Sequence, residues 1–269
     1  MNDSLGQSAA NGLANLAIDP DVLAKELAAE LVGDPLDEID PEGLNLDATN
    51  IASECEAGLK WLKQGHERRL QGLRVFCEHR DARALPLLVP LLQEPCPVER
   101  MSAVYALGRN PCPRAVEILL RILKYDCNAY VRKATAWSLG NYADAPVLMP
   151  LIDALRNDVS AVRLWASGSL AEAGSSSFEK ADCASNQLLE SLKIDSEPVV
   201  RSNCIWSLGR LYDKLNSDRK QELLGALVEI LLNDNDSSVR YEARVALEQL
   251  DSDEVHERFQ ALFDEGILT

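Results

Sequence analysis

Basic side chains are nearly missing from the first 56 positions of this 269-residue chain, where Lys25 stands alone against 13 carboxylates. That stretch carries a net −12 of the chain's −16 and leaves −4 for everything after it. Without a clustered Lys/Arg face to displace counterions, the composition excludes a phosphate backbone as partner. The same balance repels an anionic membrane surface. Long apolar runs are missing too: no stretch of about 18 residues can span a bilayer, and the N-terminus has no basic region ahead of an apolar one. The sequence therefore predicts a cytoplasmic protein. Its seven cysteines include no Cys-x-x-Cys pair and form an odd number. In a chain too large to need stapling, this predicts free thiols in a reducing compartment. No Ser/His/Asp order, glycine-rich phosphate loop or paired-carboxylate signature can be placed on one surface. An enzyme of this sequence would take its chemistry from the substrate or a cofactor.

What is present is a repeat. Arg69, Arg100, Arg132, Arg163, Arg201 and Arg240 follow one another at intervals of 31, 32, 31, 38 and 39 residues, each with an apolar side chain seven residues on. That period predicts an all-α solenoid of about six helical hairpins, in which each repeat buries its apolar face only against its neighbours.

Ahead of the repeats, residues 1–18 are small and polar and are predicted disordered. Asp19-Pro20 then reads as an N-cap with proline at the first helical position, opening an amphipathic helix through Leu23, Leu27 and Leu31 that stops at Gly33-Asp34-Pro35. Pro35 to Asp47 reads as a linker. The spacing of Ile51, Cys55, Leu59 and Leu62 predicts a helix over about 49–64. The expected organisation is thus an acidic N-terminal extension, residues 1–47, and a solenoid, residues 48–269. Leucine-rich first helices are expected over 84–93, 114–125, 146–156, 184–193 and 220–232. Each is followed by a turn with an acid (Glu94, Asp126, Asp158, Asp195, Asp234), then a second helix such as Val131 to Gly140. The extra residues around Gly174 to Ser177 are expected to lengthen a connection.

Asp81 to Leu88 with its proline, Val98-Glu99-Arg100 and Ala106-Leu107-Gly108 resemble the HEAT repeat, and the likeness covers about residues 67–265. The first unit, with Phe76-Cys77 in place of Leu-Gly, and the last, with Leu247-Glu248, depart from it as end caps do. Within that class, Trp-Ser-Leu-Gly at 137–140 and 206–209, with Leu164 to Ala171, is similar to the cyanobacterial phycobilin-lyase-like subgroup. That subgroup includes E/F-type bilin lyases and isomerases, phycobilisome chaperone or degradation proteins, and a HEAT partner of an A-type iron–sulphur scaffold. The resemblance implies a phycobiliprotein subunit or an iron–sulphur scaffold as client, and a second HEAT-repeat subunit if the chain is half of a lyase pair. It also implies a phycocyanobilin-type bilin or a shared [2Fe-2S] cluster as cofactor. His66-Glu67 and His256-Glu257 are similar to motifs of the HEAT-fold deoxyhypusine hydroxylases. That family carries four, whereas these two stand at opposite ends of the repeats, so no such metal site is expected.

Counted at about 100° per residue from each repeat arginine, positions −1, +3, +4, +6 and +7 face the core. Positions +1, +2 and +5 face away. They hold Met101, Tyr105, Trp137, Leu164, Trp165, Trp206 and Tyr241, and second helices line the concave side of a HEAT solenoid. The expectation is a concave aromatic groove that holds a client protein and, with it, the client's cofactor. The alternative, a phase one or two positions off, puts these aromatics in the core. The arginines are expected to be structural, tying the inter-helix turns, rather than an anion-binding row. Cys96 and Cys127, at matching turns of adjacent repeats, are candidates to share a cluster with a partner. Cys204 occupies a core position.

Overall fold

The computed structural model describes residues 48–250. The acidic extension with its expected helix, His256-Glu257 and the end of the last repeat lie outside these residues.

Among the described residues, twelve α-helices pair into six hairpins: α1 Ala48–Trp61 with α2 His66–Glu78, α3 Leu85–Leu91 with α4 Pro97–Arg109, α5 Val116–Tyr125 with α6 Ala129–Gly140, α7 Leu148–Asn157 with α8 Ser160–Gly174, α9 Phe178–Ile194 with α10 Pro198–Leu211, and α11 Ser217–Asn233 with α12 Ser237–Gln249. No strand occurs among the described residues. The second helices (α2, α4, α6, α8, α10, α12) pack closely against one another along the whole length, whereas the first helices touch one another more sparsely. A double layer so packed curves toward the denser side, so the second helices form the concave face.

Local chemistry places the boundaries. Pro97 and Pro198 open α4 and α10 at a position where the missing N–H costs nothing. Asn128, Ser177, Asn216 and Asp236 cap α6, α9, α11 and α12 by accepting from backbone amides of the first turn. Val131, Thr135, Ala136, Ser138 and Leu139 are all buried, as the phase of α6 requires.

The wider spacing of the last repeats has a different origin from the expected long connection. α8 runs to Gly174 and α9 starts at Phe178, so the join is short. The extra residues lengthen the first helices instead: α9 and α11 have 17 residues each, against 10 in α5 and α7. Ser177, which reads as loop in sequence, caps α9 and lets that helix begin two turns early.

The arginines form a cross-repeat ladder. Arg100 donates from Nε and Nη2 to both carboxylate oxygens of Asp126 at 2.8 and 2.9 Å. Arg132 does the same to Asp158 at 2.8 and 2.7 Å, and Arg201 to Asp234 at 2.8 and 2.7 Å. The remaining nitrogen, Nη1, turns back to its own repeat and donates to the carbonyl oxygen of the turn acid: Glu94 for Arg100, Asp126 for Arg132 and Asp195 for Arg201. Each aspartate also accepts from the backbone amide of its own turn, as Asp126 does from Asn128 and Asp234 from Asp236. The arginines are thus spent on structure, as expected, and reach one repeat further than the turn they start from. Asn110 and Tyr142 tie the opposite edge: Asn110 Nδ2 donates to the Phe76 carbonyl at 3.0 Å and the Tyr142 hydroxyl to that of Leu107 at 2.9 Å. Burial pushes the Tyr142 phenol up to about 12.

Candidate binding groove

The concave face carries a groove of about 770 Å³ across α6, α8, α10 and α12. Trp137 from α6, Leu164 and Trp165 from α8, and Trp206 from α10 line it. Trp206 is 50% exposed, and Trp137, Leu164 and Trp165 are half-buried.

Three members of the expected stripe are elsewhere. Met101 and Tyr105 are buried, at 3% and 1% exposure, in α4, a helix enclosed along nearly its whole length. A phase count along one helix takes no account of its neighbour. Here the Trp137 ring lies edge-on to Tyr105, with centroids 5.4 Å apart at 66°, and closes over it. Met101, one turn earlier on the same face, is enclosed with it. Tyr241 is 64% exposed on α12 and does not line the groove.

Glycine explains how Trp137 reaches its place. A Cβ on Gly108 would stand 2.4 Å from Cζ3 of Trp137, so the Leu-Gly of one repeat leaves the space that the tryptophan of the next fills. Gly140 serves similarly, since a Cβ there would meet Ser169 Oγ at 2.8 Å. The serines of both Trp-Ser-Leu-Gly motifs, Ser138 and Ser207, are buried with hydroxyls that have no hydrogen-bond partner.

Polar groups complete the groove, and sequence reasoning missed them because it searched the stripe for aromatics alone. Asn203 (+2 from Arg201) and Glu242 (+2 from Arg240) lie on that stripe. Asn141 and Glu172 lie at +9, one turn beyond +5 on the same face. Asn203 Nδ2 donates to the Leu164 carbonyl and to Ser167 Oγ, both at 2.8 Å, fixing α10 to α8 under the groove floor. Arg210 pairs with Glu172 at 2.6 Å, and its Cζ lies 4.8 Å from the Trp206 ring centroid. Lys133 Nζ lies 5.9 Å from the Trp165 centroid.

The thiols differ in exposure. Cys204 is fully buried in α10, where burial pushes its thiol up. Cys96 is partly buried and Cys127 exposed. No group of three or more His, Cys, Asp or Glu converges as a metal site among the described residues. His66 faces Glu99 instead, at 2.9 Å. None of the described helices is long and apolar enough to cross a membrane.

The profile of the HEAT repeats matches residues 66–140, 116–209 and 185–266, nearly three quarters of the chain. The chain belongs to the HEAT-repeat family. Solved solenoids share the fold. An engineered protein is 24% identical with a TM-score of 0.56, covering 74% of this chain and 98% of its own. A designed armadillo repeat protein in complex with the peptide (KR)4 is 22% identical with a TM-score of 0.56, covering 72% and 98%. Kap121p is 17% identical with a TM-score of 0.56, and the match spans 85% of this chain and 28% of Kap121p. No curated protein matches this HEAT chain by sequence.

Proposed function

We propose that this HEAT protein is a non-catalytic scaffold that holds a partner protein in its concave groove. The observation that carries the reading is the set of indoles presented there: Trp165 and Trp206 with Leu164, on rigid helices, beside half-buried Trp137. An apolar surface of this kind is costly in water unless it is covered, and tryptophan is enriched among residues that dominate binding energy. The fold supports the reading as well, since a designed armadillo solenoid is solved in complex with a peptide. The client implied by the subgroup resemblance is a phycobiliprotein subunit or an iron–sulphur scaffold. Trp206→Ala combined with Trp165→Ala should remove the protein that co-purifies from the native host, while far-UV circular dichroism and the thermal midpoint stay close to those of the parent. Retention of that partner would falsify the reading.

A second reading rests on the same indoles and on the volume of about 770 Å³, which lies in the range of cavities that hold a drug-sized ligand. Here the groove cradles a flat conjugated molecule, an open-chain tetrapyrrole, and presents it to a cysteine of a phycobiliprotein. Co-expression with the bilin, the apo-subunit and a second HEAT-repeat chain tests it, and a colourless subunit counts against it. A brown protein whose colour is lost in Cys96→Ser or Cys127→Ser would point to the iron–sulphur client instead.

A further inference from the structure

Both side chains already stacked on groove tryptophans are cations. Arg210 lies over Trp206 and Lys133 over Trp165. Conversely, among the described residues the only ionisable side chains lining the groove itself are two carboxylates, Glu172 and Glu242. We propose that the groove is a receptor for an extended basic segment of the partner, whose arginine or lysine stacks on Trp206 and pairs with Glu172 in place of Arg210. This deepens the scaffold reading and rests on it.

Three observations give the proposal its chemistry. First, indole is the ring that attracts cations most strongly, and the attraction grows when the pair is removed from water, as a docked segment would do. Second, the internal pair is displaceable: the Arg210 and Glu172 side chains are 46% and 42% exposed, a setting in which an ion pair is worth little. Arg210 thus stands where a partner's guanidinium would go and shows that the site accepts one. Third, Glu242 on α12 has no ion pair among the described residues, so a second counter-charge waits two hairpins beyond Glu172 along the groove. The aliphatic stem of a long basic side chain would cover the apolar wall of Leu164 and Val199 while its head reaches the carboxylates. An acidic segment would meet two like charges there.

The test uses the full chain and three fluorescein-labelled peptides of the repeat Gly-Ser-X, with X arginine, citrulline (its neutral isostere) or glutamate, followed by anisotropy at about 150 mM salt. A chain of net charge −16 attracts any polycation, so the decisive comparison is between variants of equal charge. Glu172→Gln with Glu242→Gln should weaken the arginine peptide about tenfold or more. Glu117→Gln with Glu229→Gln, on exposed positions of first helices, should leave it unchanged. Arg210→Ala should tighten binding, because it vacates the Trp206 face. A groove that merely needs Arg210 for its shape would bind more weakly. Equal weakening by the two glutamate pairs, or equal binding of the citrulline peptide, overturns the basic-segment proposal. Citrulline binding that is lost in Trp206→Ala would overturn it while keeping the scaffold reading, whereas arginine-peptide binding indifferent to Trp206→Ala would sink both. Circular dichroism and the thermal midpoint of each variant confirm that it is folded.

Discussion

Arg163 grips Asp195 across a repeat boundary, donating from Nε and Nη2 to the two carboxylate oxygens at 2.7 and 2.8 Å while Nη1 donates to the Asp158 carbonyl at 2.9 Å. Both side chains are largely buried, at 17% and 5% exposure. Removing one partner strands a desolvated charge, which costs about 3–5 kcal/mol at full burial and less with residual solvent. Arg163→Ala is therefore expected to lower unfolding free energy by about 2–3 kcal/mol in urea titrations. Arg163→Lys should recover little, because an ammonium cannot reproduce the three-point fork.

Acid should loosen the same rungs. Burial pushes the Asp195 carboxyl up, but hydrogen bonds from Arg163 and the Glu197 amide outweigh it and hold the group below its ordinary value. Asp234 is lowered chiefly by the Arg201 hydrogen bonds. A carboxyl depressed in the folded state contributes stability that is fully present above the unfolded value of about 3.9 and fades as pH falls through the lower folded one. Urea midpoints should drop steeply below about pH 4. The drop should be shallower in Asp195→Asn, which starts from a lower midpoint at neutral pH.

Two glycines of the same motif should respond oppositely. Gly108→Ala drives a methyl to within 2.4 Å of the Trp137 ring and should cost about 1–3 kcal/mol. Gly209, inside α10, has nothing within 4 Å of where its Cβ would be. Gly209→Ala should instead stabilise by about 1 kcal/mol through helix propensity. Thermal melts of the pair, with near-ultraviolet circular dichroism reporting the Trp137 environment, decide the matter.

Ser138→Ala and Ser207→Ala should each raise stability by up to about 1 kcal/mol, because they delete buried hydroxyls that have no partner. A loss on calorimetry would mean that the hydroxyls are bonded in solution.

The repeat arginines made the solenoid, its six hairpins and its core-facing positions legible in sequence, because a ladder with one rung per repeat leaves a period that survives unequal helix lengths. The lengths themselves were not legible. The residues beyond Gly174 carry small and polar side chains that suit a loop, yet Ser177 uses its oxygen to start a helix. At the candidate site, Trp165 and Trp206 followed from phase alone. Tyr105 did not, because its burial depends on Trp137 of the next hairpin, 32 positions away. Glu172, Glu242 and Asn203 stood at readable positions of the same stripe and were passed over by a search for aromatics.

The ladder also has a direction. From Arg100 to Arg201, every fork reaches toward the C-terminal neighbour, and every aspartate receives from the N-terminal one. Each of these hairpins is therefore an interchangeable link with one hook and one eye. Duplicating or deleting a whole link changes how many rungs there are and strands no charge, whereas a break at the boundary between two links strands an arginine on one side and an aspartate on the other. A chain assembled this way can lengthen or shorten its groove in units of one hairpin, with the surviving indoles still in register.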